Sequence, residues 1–198
     1  GMTLGELARM IDGEGWLRDG LRCKLTVIPC RGYTHRSRYR LPTAPSPNLP
    51  NMRAVYLYPS LCFFEGTPVS LGRGTDFPFQ AYGHPELQGD FSFTPRSNAG
   101  AKNPPLKDKL CHGVDLRTSP SDERIWEREV DLGYVIDCYR QLNLGEKFFT
   151  PMFDRLTGTD YVRQMILQGA GADRIKASWA DDVERFKQTR KPYLLYEE

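Results

Sequence analysis

The chain has 198 residues, 39% of them hydrophobic and 26% charged, the composition of a globular protein with one large domain or two small ones. A net charge of +2 is too small to hold nucleic acid in bulk, and no apolar run approaches the roughly 20 residues that span a bilayer. Five scattered cysteines contain no C-x-x-C pair, so no metal site is expected; one thiol at least is unpaired, and most are read as small core hydrophobes. The start, Gly1-Met2-Thr3-Leu4, shows no signal peptide; Gly1 before Met2 reads as a tag remnant, so this says little about location.

Thr3-Leu4-Gly5-Glu6 fits a capping box. Leu4, Leu7, Ala8 and Ile11 then mark a first helix, closed by Gly13 and Gly15, with Trp16 and Leu17 expected to dock it. Leu21 to Cys30 alternates apolar and polar residues and predicts a strand. Arg31 to Pro42 is basic and aromatic. It predicts a solvated loop rather than a nucleic-acid reader, with recognition of a carboxylated sugar as a third reading.

Three prolines between Pro45 and Pro50 hold the backbone extended. Asn51 caps the next helix, in which Ala54, Val55, Leu57, Tyr58, Leu61 and Phe64 share a face and Pro59 should kink or divide the helix. A polar cluster follows. Glu65-Gly66-Thr67 and Gly72-Arg73-Gly74-Thr75-Asp76 bring a carboxylate, an arginine, hydroxyls and three glycines within a dozen residues. Such a set lets backbone approach a ligand while polar groups orient it, but it equally suits a helix end and a turn.

Strands are expected over Phe77–Tyr82, briefly around Phe91–Arg96, and over Lys109–Leu116, with a surface loop from Ser97 to Leu106. His112 and Asp115 fall on opposite faces of the last, which argues against an acid–base pair. Ser121 should cap the longest helix, ending near Asn143 or Gly145. Pro151–Phe153 reads as a short turn. Further helices are expected from Thr159–Asp160, closed by Gly169, and from Trp179 to Arg190 with Trp179, Val183 and Phe186 facing in, with a short segment around Ile175 between them. Tyr193 to Tyr196 is a final strand or docked tail. The sum is one α+β domain over residues 1–198, a mixed sheet with several helices and long loops.

The run YPSLCFFEGT-x-VS-x-GRGTD-x-PF resembles the signature of the bacterial exo-β-N-acetylmuramidases, a family long catalogued as a domain of unknown function. Gly13-Glu14-Gly15-Trp16-Leu17 and Leu25-Thr26-Val27-Ile28 are similar to the segment joining that family's two halves, and Cys111-His112-Gly113-Val114-Asp115-Leu116 and Arg190-Lys191-Pro192-Tyr193 to its C-terminal part. The resemblance implies a C-terminal-type domain without the Rossmann-like N-terminal half, the active cleft lying between the halves. It implies a hydrolase releasing N-acetylmuramic acid from peptidoglycan fragments, in the periplasm or outside the cell, incomplete or inactive as an isolated chain. No cofactor is implied; the partners are muramic-acid sugars, a Rossmann-like half or a second copy. On that basis Glu65 is the candidate catalytic carboxylate, with Asp76 and Asp115 poorer ones. Arg73 suits the lactyl carboxylate, and Asp76, Thr75, Thr67, Ser46, Asn48 and Tyr58 are candidate sugar contacts. The competing reading is a non-catalytic carbohydrate-binding or protein-interaction module.

Overall fold

The computed structural model describes residues 1–198, the side chain of Arg128 excepted. The chain is α+β, as the sequence suggests, but the sheet expected to be mixed is antiparallel throughout. The contacts divide it into two compact units, residues 1–39 with 177–198, and residues 40–176.

In the first unit, α1 (Leu4–Gly13) begins at the predicted capping box, with Thr3 accepting from the Glu6 amide and Glu6 accepting from the Thr3 amide. The sequence did not show that Glu6 has a second task. Its side chain is fully buried, and Oε1 accepts from the Leu195 amide at 2.7 Å and meets His35 Nε2 at 2.9 Å. The final residues are thus a docked tail. Tyr196 packs edge-on against Tyr33 at 4.7 Å, and the Tyr193 hydroxyl donates to Glu14 at 2.6 Å. The basic–aromatic loop accordingly turns Tyr33 and His35 towards this tail.

Three expectations fail in this unit. Leu21–Cys30 forms no ladder among the described residues, and Leu21, Leu25 and Ile28 stand exposed. Alternation specifies a strand only where a neighbour supplies the ladder. Trp16 does not dock but is 56% exposed. On α8 (Ala180–Arg190), Val183 and Phe186 are exposed rather than turned inward.

In the second unit, α2 (Met52–Leu61) starts where Asn51 Oδ1 accepts from the Ala54 amide at 3.0 Å. It continues through Pro59 and tightens into a 3-10 turn over Cys62–Gly66. The sheet has strand order β1 (Ala81–His84), β3 (Cys111–Asp115), β2 (Phe91–Phe93). β1 starts later than expected because Phe79 has a left-handed backbone, φ 56°. The expected long helix is two, α3 (Asp122–Arg128) and α4 (Gly133–Leu142). Ser60 of α2 accounts for the break. Its hydroxyl donates to the Glu129 carbonyl at 3.3 Å and accepts from the Asp131 amide at 2.9 Å, so tertiary bonding overrides a continuous apolar stripe. Pro151 opens a helix, α5 (Pro151–Thr157), rather than a turn, because proline is at home in a first helical turn. α6 (Tyr161–Leu167) and α7 (Ala172–Ser178) follow. The core gathers Leu57, Leu61, Phe64, Phe79, Phe148 and Phe153.

All five cysteines are free; Cys111 and Cys138 are buried, Cys62 is partly so, and Cys23 and Cys30 are exposed rather than in a core. Burial pushes the Cys138 thiol up to about 12 and the Cys111 thiol to about 11. In native protein, alkylation read by mass spectrometry should mark Cys23 and Cys30 first and spare Cys111 and Cys138 until denaturant is added.

Burial alone would raise the Glu6 carboxyl, but hydrogen bonds from the Leu195 and Thr3 amides and from His35 outweigh it and hold Glu6 down at about 2. A group held below its ordinary value of 4.5 stabilises the fold fully above that value, and the contribution fades as pH falls towards about 2. Stability on the order of 3 kcal/mol should therefore disappear across that window in denaturant titrations, and Glu6→Gln should flatten the dependence.

Candidate functional site

Glu65 reaches the surface because its neighbours are pinned beneath it. Phe64 is fully buried and stacks on Tyr82 at 5.0 Å between centroids. Gly66 lies against α5, where an added Cβ would come within 2.4 Å of the Phe153 amide nitrogen, and its carbonyl accepts from the Thr150 amide at 2.9 Å. The 3-10 turn has one way to sit, with the Glu65 side chain outward.

Arg73 arrives from a loop closed at its base by the Phe79 amide, which donates to the Leu71 carbonyl at 2.8 Å. Gly74, φ 82°, seats the loop tip against its neighbour; a Cβ there would meet the Arg96 carbonyl oxygen at 2.4 Å and the Pro104 ring at 2.6 Å. Arg73 Nη2 donates to Glu65 Oε1. The side chains are 31% and 28% exposed. Arg73 Nε and Nη1 have no other hydrogen-bond partner among the described residues. The guanidinium carbon lies 5.1 Å from the centre of the Phe79 ring, and Tyr58 meets the same ring at 5.2 Å. Burial pushes the Tyr58 phenol up; Glu65 and Cys62 add to this and Arg73 opposes it.

Glu65 and Arg73 line a cleft of about 440 Å³ with Thr67, Leu71, Met152 and the loop at 100–105. A larger cavity of about 570 Å³ lies between residues 40–45 and α2, and holds none of the expected site residues. Its inner arginine, Arg53, is already committed to the Leu116 and Pro120 carbonyls and to Asp122. Size therefore does not identify the site; the grouping of polar side chains does.

The remaining expected residues are dispersed. The Thr67 hydroxyl lines the cleft while donating to the Phe64 carbonyl at 2.9 Å. Thr75 and Asp76 line an adjoining cleft of about 520 Å³ with Phe77, Phe91 and Arg96, and the Thr75 hydroxyl donates to the Gly72 carbonyl at 2.6 Å. Ser46 Oγ accepts from the Asn48 amide at 3.2 Å. Asn48 Nδ2 donates to the Gly100 carbonyl at 3.0 Å, so Asn48 braces the rim of the first cleft. Asp115 is engaged by Arg117, whose Nε and Nη2 donate to its two oxygens at 2.9 and 2.7 Å. These bonds hold the Asp115 carboxyl below the usual range. His112 meets Ser92 at 2.8 Å instead of Asp115.

Residues 56–196 match the family model "Exo-beta-N-acetylmuramidase NamZ, C-terminal", and residues 1–53 match its N-terminal counterpart. The chain belongs to the NamZ exo-β-N-acetylmuramidase family. The N-terminal model thus reaches residues that the resemblance assigned to the join between the halves. A curated member, the peptidoglycan β-N-acetylmuramidase NamZ of Bacillus subtilis (strain 168), is 30% identical over 220 aligned positions, covering 99% of this chain and 50% of that protein. The crystal structure of a DUF1343 family protein from Bacteroides fragilis NCTC 9343 is 62% identical, with TM-score 0.96 over the whole chain and 56% of its own. A second DUF1343 protein from that organism, 18% identical with TM-score 0.77, shares the fold. The chain spans about half the length of these relatives.

Gly66→Ala and Gly74→Ala both force atoms into occupied space, and the second also strains the backbone. Each should cost about 1–3 kcal/mol in chemical denaturation.

Proposed function

We propose that this chain forms one wall of the sugar-binding cleft of a peptidoglycan exo-β-N-acetylmuramidase. The observation that carries this reading is the Glu65–Arg73 pair, partly exposed at the edge of a cleft in a member of that family. Glycosidases generally set two carboxyl groups about the scissile bond. Glu65 is proposed as one of them; as a carboxylate it is an acceptor, suited to a sugar hydroxyl or an attacking water. The second would come from another part of the complete enzyme, since Asp115 is tied to Arg117 and Asp76 faces the adjoining cleft. The two unpartnered nitrogens of Arg73 suit the lactyl carboxylate of N-acetylmuramic acid, and Thr67 lines the same cleft.

Calorimetric titration tests the binding half of this reading. The chain should bind N-acetylmuramic acid more tightly than N-acetylglucosamine, which lacks the lactyl group. Arg73→Met should weaken the acid about tenfold or more and leave the neutral sugar within about twofold. Equal binding of the two sugars, or an unaffected variant, contradicts it. Turnover is tested on a chromogenic muramide, with this chain alone and joined to a full NamZ N-terminal half. The proposal expects release only from the joined protein and its loss in Glu65→Gln. A joined protein that binds without release favours a non-catalytic binding module.

A further inference from the structure

We propose that Phe79 is the positioning residue of this site, the ring that fixes Arg73 and Tyr58 before any ligand arrives. The inference rests on the reading that Arg73 receives the carboxylate. A bulky residue with φ near 56° is an outlier, and such a conformation persists only where the surroundings over-determine it. They do so here. The Phe79 amide is spent on the Leu71 carbonyl, and the ring is 1% exposed. The next residue, Gln80, is held on two sides: its side chain accepts from the capping Asn51 at 3.1 Å, and its carbonyl from the Leu116 amide at 2.8 Å. Pro78 restricts the backbone from the other direction.

The strained backbone has a directional consequence. An ordinary extended or helical φ at position 79 would aim the side chain elsewhere. The left-handed one places the ring where Arg73 lies over it at 5.1 Å and Tyr58 leans on it at 5.2 Å. One side chain thereby couples the loop carrying Arg73 to the helix carrying Tyr58, and through Arg73 to Glu65. The guanidinium is held by a ring and by one carboxylate oxygen, with its remaining donors uncommitted. Ordering Arg73 in advance lowers the entropy lost when a carboxylate binds. A neutral sugar does not draw on that ordering.

The test compares wild type with Phe79→Leu, which keeps apolar bulk without a ring. Each is titrated with N-acetylmuramic acid and with its lactyl methyl ester. The wild type should prefer the acid, and Phe79→Leu should lose about fivefold of that preference. An unchanged acid-to-ester ratio in Phe79→Leu overturns the inference. A second readout needs no variant: the Arg73 Hδ and Hε resonances of the wild type should be displaced upfield by the ring current. Random-coil positions for them overturn the inference even if Phe79→Leu fails to fold. If the wild type shows no preference for the acid while those resonances are displaced, the positioning stands and the role given to Arg73 falls.

Discussion

The closure of the Leu71–Phe79 loop is the constraint on which the site depends. One hydrogen bond at the base, a left-handed phenylalanine at the exit and a glycine wedged against Arg96 and Pro104 leave the loop little freedom. Arg73 is therefore delivered to Glu65 by backbone geometry, and the attraction between the two charges acts on side chains already adjacent. This order of causes matters, because a partly exposed ion pair contributes little to stability by itself. Glu65 is fixed by similar means: Gly66 admits the Phe153 backbone at a distance no side chain would allow.

Parts of this were legible in the sequence because they are local. The Thr3–Glu6 capping box and the Asn51 cap each need only a three-residue reach, and both form. The grouping of Glu65 with Arg73 could be suspected from proximity along the chain. Other features depend on partners distant in sequence. Ser60 divides the helix after Ser121, and no pattern within residues 121–143 announces it. Glu6 is at once a cap and the acceptor of an amide 189 positions away. Phe79 is the clearest case: the residue type argues against positive φ, so local propensity points away from what tertiary packing imposes.

The failed strand at Leu21–Cys30 has a related cause. Its alternation is real, but a strand is a property of a pair, and none of the described residues supplies the ladder. That stretch lies within the residues matched by the family's N-terminal model, and the chain covers about half of its relatives. The sheet of residues 81–115, by contrast, has all three of its strands paired within the chain.

A crystal structure of this chain grown with N-acetylmuramic acid is the most direct test of the proposed Glu65–Arg73 wall. The expected result has the lactyl carboxylate within hydrogen-bond distance of Arg73 and a sugar hydroxyl or the anomeric oxygen within reach of Glu65. Sugar bound in another cavity, or no sugar in this cleft at saturating concentration, would contradict it.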